Sequence, residues 1–155
     1  MTGQNLVIRR AREDDLRNLV ALFADDAVGG HGDTNDPEAF EDYLRAFHSI
    51  DTASHEQLFV AELQGEVVGT FQLTYYRTLA GRGAVNLRIE AVQTRSDRRG
   101  QGIGAKMITH ALEEGRRHGC KAAYLTSNNA RTDAHRFYER LGFVKSHAGF
   151  KMPLK

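Results

Sequence analysis

Three glycines fall within five positions of a short segment between a strand-like run and a helix-like run, Arg98-Arg99-Gly100-Gln101-Gly102-Ile103-Gly104. Glycine lets a backbone approach a ligand closely and turn its amide N–H groups toward it. The first turn of the following helix adds unpaired amides and the positive end of the helix dipole. With two arginines at its start, this junction is predicted to bind a phosphate group.

Two common phosphate-binding loops do not fit this spacing. A P-loop has a serine or threonine after its lysine, but Lys106 is followed by Met107. The dinucleotide fingerprint Gly-x-Gly-x-x-Gly fails as well, because Met107 stands where the third glycine would be when counting from Gly102. The pattern that remains is Arg99-x-x-Gly102-x-Gly104.

Hydrophobic periodicity predicts the elements that hold this loop. Helices are predicted from about residue 12, from residue 37, over 103–118 and over 133–141. Strands are predicted at 6–9, 58–63, 67–76, about 84–94 and 122–126, with two short strands in the tail 143–154. The predicted order is β-α-α-β-β-β-α-β-α-β-β, with the glycine loop between the fourth strand and the third helix. Without a repeat or linker, residues 1–155 are predicted to form one domain.

This order and two motifs resemble the GNAT N-acetyltransferase superfamily along nearly the whole chain. The glycine segment is similar to the family's acetyl-CoA pyrophosphate loop, Gln/Arg-x-x-Gly-x-Gly/Ala. The second family motif follows about 30 residues later, as Ala134-x-x-Phe137-Tyr138-x-x-x-Gly142-Phe143. The resemblance implies an α/β (α+β) GNAT fold, whose mixed central sheet is splayed between strands 4 and 5 and flanked by about four helices.

The same resemblance implies acetyl-CoA as the co-substrate and assigns residues to it. The amides of Gly100, Gln101, Gly102, Ile103 and Gly104 would hold the pyrophosphate, with Arg99 and either Arg98 or Arg95 balancing its charge. Val92-Gln93-Thr94 would pair with the pantetheine arm, and the Val92 amide would point at the thioester oxygen. Asn128 would contact CoA, with a capping or turn role as the alternative.

Two side chains are candidates for the proton transfers that acetyl transfer to an amine requires. Tyr138 is the candidate general acid, since a phenol with a pKa of about 10 stays protonated at neutral pH; the alternative is a core aromatic role. Glu90 is the candidate base, as in family members that use a carboxylate on this strand. Strand alternation places Asn86, Arg88, Glu90 and Val92 on one face, so the alternative for Glu90 is an ion pair with Arg88.

The charge distribution bears on the acceptor. Residues 1–63 hold 13 acidic and 5 basic side chains, a net charge of −8, whereas the remainder has a net charge of +9. An acidic lip around the first two helices favours a small cationic amine as acceptor: Asp25, Asp26, Asp33, Asp36, Glu38, Glu41 and Asp42. The tail from 133 to 154 instead resembles small bacterial aminoalkylphosphonate N-acetyltransferases. The motifs are also compatible with a protein acetyltransferase acting on lysine or an N-terminal amine, and with a non-catalytic acyl-CoA-binding regulator.

Composition sets the remaining expectations. No apolar run approaches the roughly 20 residues of a membrane span, the first residues lack a leader pattern, and a single cysteine, Cys120, suits a reducing compartment. We therefore expect a cytoplasmic protein. The seven histidines show no metal-binding spacing, so no metal is expected. We expect no nucleic-acid or membrane partner, and a homodimer formed through the C-terminal segment, as in many members of the superfamily.

Overall fold

The computed structural model describes residues 5–26 and 32–155, and these residues divide into two compact units with the boundary between Tyr124 and Leu125. The first residues of the chain, on which the expectation of no leader rests, lie outside the described residues. The single-domain organisation stays a prediction. In the described parts of the chain, no helix is long and apolar enough to cross a membrane.

The first unit is built on a five-stranded mixed sheet, which confirms the predicted sheet class. Strands β1 to β4 are antiparallel neighbours in chain order, and β5 runs parallel to β4. Their bounds are β1 Leu6–Arg10, β2 Glu56–Leu63, β3 Glu66–Arg77, β4 Val85–Thr94 and β5 Ala123–Tyr124. β5 pairs only with Leu87 and Arg88 near the start of β4. The two strands are therefore splayed beyond that point, as the family resemblance implies.

The described residues form four α-helices, as predicted. They are α1 Leu16–Ala24, α2 Phe40–Thr52 and α3 Ile103–Arg117 in the first unit and α4 Thr132–Arg140 in the second. Short 3-10 turns precede the first three, at Glu13–Asp15, Pro37–Ala39 and Ser96–Arg98. Pro37 suits a helix start because proline has no amide hydrogen to leave unpaired.

The core of the first unit lies on both faces of the sheet. On one face, Leu19 of α1 and Phe47 of α2 pack against Val60 of β2. On the other face, His110 of α3 lies edge-on to Phe59, with 5.3 Å between ring centroids. Since Phe59 and Val60 are consecutive residues of β2, strand alternation divides the helices into two layers. α1 and α2 cover one face and α3 covers the other.

The second unit departs from the prediction. Residues 143–155 contain no strand, although two were predicted there. Alternating apolar residues suggested strands, but a strand forms only when its backbone groups find a partner. The side chains of Val144, Phe150, Met152 and Leu154 are instead 80–97% exposed, namely 81%, 97%, 80% and 92%. None of the residues 125–155 is buried, which distinguishes this unit from the sheet.

Candidate active site

The C-terminal half of β4 contains a bulge. Glu90 of β4 pairs with Gln72 of β3. The next residue of β4 that pairs with β3 is Gln93, which lies opposite Thr70. One residue of β3 therefore faces two residues of β4. At this point Ala91 has a φ of 53°, in the left-handed region that residues other than glycine rarely adopt. The bulge turns the end of β4 away from simple strand geometry.

The bulge corrects the predicted faces of β4. Alternation placed Val92 on the same face as Glu90, but the extra residue at Ala91 shifts the sequence by one position. Gln93, rather than Val92, therefore shares the face of Glu90. Its side-chain Nε2 donates a hydrogen bond of 3.1 Å to the carbonyl of Leu22 in α1. This contact ties the end of β4 to the helix layer on that face.

The end of β4 also presents a free edge. Beyond Arg88, residues of β4 pair with β3 on one side and, among the described residues, with no strand on the other. Val92 and Thr94, predicted to pair with the pantetheine arm, lie in this stretch. A free strand edge offers N–H and C=O groups in the spacing that an extended ligand can use. The splay therefore leaves main-chain groups available where the donor was predicted.

The glycine loop has the conformation that an anion site requires. Gly100 and Gly102 have φ of 76° and 82°, in the left-handed region. Gly102 is the N-cap of α3, and no side chain caps the amides of the first turn. The first helical bond runs from the Lys106 amide to the Gly102 carbonyl, at 3.2 Å. The amides of Ile103 and Gly104 precede that bond, so they have no intrahelical partner.

The arginines beside the loop differ in their bonding. Arg95 forms an ion pair with Asp97, in which Arg95 Nε lies 2.6 Å from Asp97 Oδ1. Arg99 donates from Nε to the carbonyl of Thr94 at 3.3 Å, which leaves its terminal nitrogens for other acceptors. The Nε atom of Arg98 is buried and makes no hydrogen bond within the described chain. A buried donor without an acceptor, beside uncapped helix amides, fits a phosphate group in this loop.

Glu90 lies beside Arg88 on the exposed part of β4. The Arg88 Nε atom is 3.9 Å from Glu90 Oε1, which is within ion-pair range but too long for a hydrogen bond. The Arg88 guanidinium lies 5.6 Å from the centroid of the Tyr76 ring. The side chains of Arg88 and Glu90 are 42% and 49% exposed. The alternative ion pair is therefore present as a loose contact that leaves the carboxylate accessible.

Tyr138 lies on α4 among aromatic side chains of the second unit. Its ring meets Phe137 and Phe143 edge-on, with centroid distances of 5.1 and 5.8 Å. Burial raises the pKa of Tyr138 above its usual value, and the nearby Arg131 opposes the shift. A raised pKa keeps the phenol protonated at neutral pH, as a proton donor requires. Its half-buried position also satisfies the alternative packing role.

Asn128 forms a turn before α4. Its side-chain Oδ1 accepts a 2.9 Å hydrogen bond from the Ala130 amide. Its carbonyl accepts a 2.9 Å bond from the Arg131 amide and lies 3.0 Å from Nε2 of His135. This is the turn role that the sequence left open. The contact with CoA stays a prediction.

Several carboxylates of the acidic lip are engaged within the chain. Asp33 Oδ1 accepts a 2.8 Å hydrogen bond from the Tyr43 hydroxyl, and burial followed by this bond raises the pKa of Tyr43. Asp42 forms an ion pair with Arg45. Arg45 offsets the charge of Asp42, whereas the Tyr43 hydroxyl occupies one acceptor position of Asp33 and leaves its charge in place. In the described residues, no group of three or more His, Cys, Asp or Glu side chains could hold a metal ion.

Glu90, the Val92–Thr94 segment and the glycine loop all belong to the first unit, whereas Tyr138 and Asn128 belong to the second. Comparison with known proteins shows that the Acetyltransferase (GNAT) family matches residues 8–143. The chain belongs to the GNAT acetyltransferase family. As such it is an N-acetyltransferase, and the family uses acetyl-CoA.

Individual relatives are similar over most of the chain. The aminoalkylphosphonate N-acetyltransferase of Salmonella typhimurium is 35% identical over 147 residues, covering 95% of this chain and 90% of that protein. A solved structure of a transcriptional regulator from Bacillus halodurans is 39% identical, with a TM-score of 0.93, covering 97% of this chain and all of that one. An aminoglycoside N-acetyltransferase in complex with CoA, AAC(6')-Iy, shares the fold at 17% identity, with a TM-score of 0.80 and coverage of 97% and 95%.

Proposed function

We propose that the protein transfers the acetyl group of acetyl-CoA to the primary amine of a small molecule, by direct attack in a ternary complex. The observation that carries the proposal is the glycine loop. It combines two left-handed glycines, the uncapped start of α3 and a buried, unbonded Arg98 Nε. Each feature favours an anionic group, and together they suit the pyrophosphate of a nucleotide-linked donor.

The donor would be held at two places. The amides from Gly100 to Gly104 and the guanidinium of Arg99 would bind the pyrophosphate. The free edge of β4, from Val92 through Gln93 to Thr94, would hold the pantetheine arm by main-chain hydrogen bonds. The Val92 amide, beside the bulge, would then donate to the carbonyl oxygen on which negative charge develops. When bound, the donor supplies the acetyl group as an activated thioester.

Proton transfers are assigned to Glu90 and Tyr138. The acceptor ammonium must lose a proton before its nitrogen can form the new C–N bond, and Glu90 would accept that proton through a water molecule. The thiolate that leaves as the C–S bond breaks would receive a proton from the Tyr138 hydroxyl, and the second proton that the nitrogen loses as the amide forms would restore the phenol. Because burial raises its pKa, the phenol is protonated at neutral pH and its proton is present when the thiolate leaves.

Two classes of acceptor are compatible with the site. The net charge of −8 over residues 1–63 supports a cationic amine. That sum already includes Arg45, which pairs with Asp42, and the Tyr43 hydroxyl occupies one oxygen of Asp33, so these two carboxylates have partners within the chain. An aminoalkylphosphonate is favoured by the 35% identical Salmonella relative, which aligns with nearly the whole chain. We therefore place the aminoalkylphosphonate first and the cationic amine second.

The test is turnover of acetyl-CoA with a panel of amines, with the product detected by mass. A thiol reagent is less suitable because Cys120 is only partly buried and adds background. An acetylated aminoalkylphosphonate supports the first acceptor class, and an acetylated polyamine or aminoglycoside supports the second. Acetylation of peptides alone would favour a protein acetyltransferase.

Tyr138→Phe tests the assignment of the acid. We expect turnover to fall by about 100-fold or more, while acetyl-CoA still raises the melting temperature. Unchanged turnover would show that the leaving thiolate does not depend on Tyr138.

A second candidate function is a non-catalytic regulator that binds acyl-CoA. It is favoured by the 39% identical Bacillus halodurans relative, which is named as a transcriptional regulator. It predicts that acetyl-CoA stabilises the protein but is not consumed with any acceptor. We also propose a cytoplasmic location, a single domain, no metal requirement, and a homodimer whose contact uses the exposed apolar side chains near Phe150.

A further inference from the structure

Four polar side chains form a group on the sheet face that α1 and α2 cover. Glu90 pairs directly with Gln72, and Arg88 pairs directly with Thr74, so all four project from the same face. We call these four residues the polar platform. Thr70, one step further along β3 on this face, is fully buried. The polar platform is half-buried or exposed, and it therefore lies where the helix cover ends.

The two charges of the polar platform are close but not bonded to each other. Their closest atoms are 3.9 Å apart, and among the described residues neither side chain makes a hydrogen bond. The pair formed by Arg9 and Asp15 shows what a tight contact looks like in this chain. Arg9 contacts Asp15 in a bidentate arrangement with distances of 2.8 and 2.9 Å. The donors of Arg88 and the acceptors of Glu90 thus retain most of their capacity for a ligand.

Strand geometry accounts for this looseness. Residues two apart on one strand have their Cα atoms about 6.6 Å apart, and their side chains run parallel to each other. A molecule that carries an ammonium and an acidic group on a short chain can bridge them. The planar guanidinium of Arg88 is suited to bidentate binding of a phosphonate or carboxylate, and Tyr76 lies against it.

We propose that the polar platform recognises a zwitterionic acceptor, in which Arg88 binds the acidic group and Glu90 binds the ammonium. This inference rests on the proposed acetyltransferase function, and Arg88 is then a specificity-determining residue. The same carboxylate that binds the ammonium would accept its proton through the water molecule proposed above. An acceptor with both charges also fits a site where acidic and basic groups lie together, which a purely cationic amine would not exploit.

The test compares two acceptors, aminoethylphosphonate and propylamine, which lacks the acidic group. In Arg88→Gln we expect the ratio of their kcat/KM values, phosphonate over propylamine, to fall by about 10- to 100-fold, as loss of a charge-assisted contact implies. Arg88→Lys keeps the charge without the planar fork, and we expect an intermediate ratio. Arg77→Gln, at the end of β3 on the opposite face, is the matched control and should leave the ratio unchanged.

A binding measurement distinguishes the proposed role of Arg88 from that of Glu90. Methylphosphonate carries the acid without the amine, so it should inhibit competitively against the acceptor. We expect Arg88→Gln to weaken this inhibition by about tenfold or more, and Glu90→Gln to leave it intact or strengthen it. An unchanged acceptor ratio in Arg88→Gln, or methylphosphonate inhibition that ignores Arg88, would overturn the proposal. If the proposal for Arg88 fails in this way, turnover of propylamine by the wild-type protein would still support the acetyltransferase function.

Discussion

Gly102→Ala gives the most direct test of the donor site, because its effect on the protein alone can be separated from its effect on the ligand. Gly102 has a φ of 82°, and a Cβ added there would meet nothing within 4 Å. The cost is therefore confined to the backbone. A left-handed alanine costs about 1–2 kcal/mol, and reduced freedom of the unfolded chain returns about 0.4–1 kcal/mol.

The net loss of stability should thus be near 1 kcal/mol, equivalent to a melting temperature lowered by about 2–4 °C. Binding of acetyl-CoA makes a second contribution to the stability of the folded protein. Acetyl-CoA at 100 times its Kd stabilises the wild-type protein by about 2.7 kcal/mol. If the new methyl group raises Kd tenfold, that stabilisation falls to about 1.4 kcal/mol. Thermal unfolding with and without acetyl-CoA measures both quantities.

Gly83→Ala is the matched control. Gly83 lies in the turn between β3 and β4, has a φ of 73°, and also has nothing within 4 Å of an added Cβ. Its alanine variant should lose the same intrinsic stability yet keep the whole stabilisation by acetyl-CoA. The assignment of the glycine loop would be refuted if Gly102→Ala retained the full donor effect. Equal loss in both variants would refute it as well.

Three further predictions concern stability and assembly. Burial raises the pKa of Asp15, but its bonds to Arg9 outweigh this effect and lower the pKa overall. Asp15→Asn should therefore lower the free energy of unfolding by about 2 kcal/mol at pH 7, as measured by urea unfolding. This difference between variant and wild type should disappear as the pH falls below about 4, where the wild-type carboxylate becomes protonated. Gly115→Ala should destabilise the fold by about 1 kcal/mol or more, measured in the same assay, because its Cβ would lie 2.9 Å from Leu87 Cδ2. Phe150→Asp should convert a homodimer to a monomer in sedimentation; an unchanged mass would place the contact elsewhere.

Much of the fold could be predicted from sequence because local signals agreed with one another. The alternation of β3, the stripe of α3 and the proline before α2 each indicated the element that formed. The glycine loop could be predicted for the same reason, since Gly100 and Gly102 occupy left-handed positions that other residues avoid. The spacing of these residues before a helix predicted an anion site, and the resemblance of the two motifs to the GNAT superfamily implied the function.

The bulge in β4 could not be predicted in this way. Ala91 adopts a left-handed conformation without the glycine or asparagine that would announce it, and alternation therefore placed Val92 on the wrong face. The prediction of two strands in residues 143–154 was wrong for a different reason. Alternating apolar residues near Phe150 match a strand, but pattern alone does not supply the neighbour whose backbone would pair with it.

The absence of buried side chains from residues 125–155 has a consequence for heat inactivation. The free energy of local opening depends on the apolar contacts that opening breaks. The amides of α4 are therefore expected to exchange with solvent at lower free energy than those of β2 and β3, whose residues include Val60 and Phe71 with no exposed surface. Tyr138 lies in this segment, which we therefore expect to open before the sheet. The acetyltransferase should accordingly lose activity on warming several degrees before its sheet unfolds, and recover it on cooling.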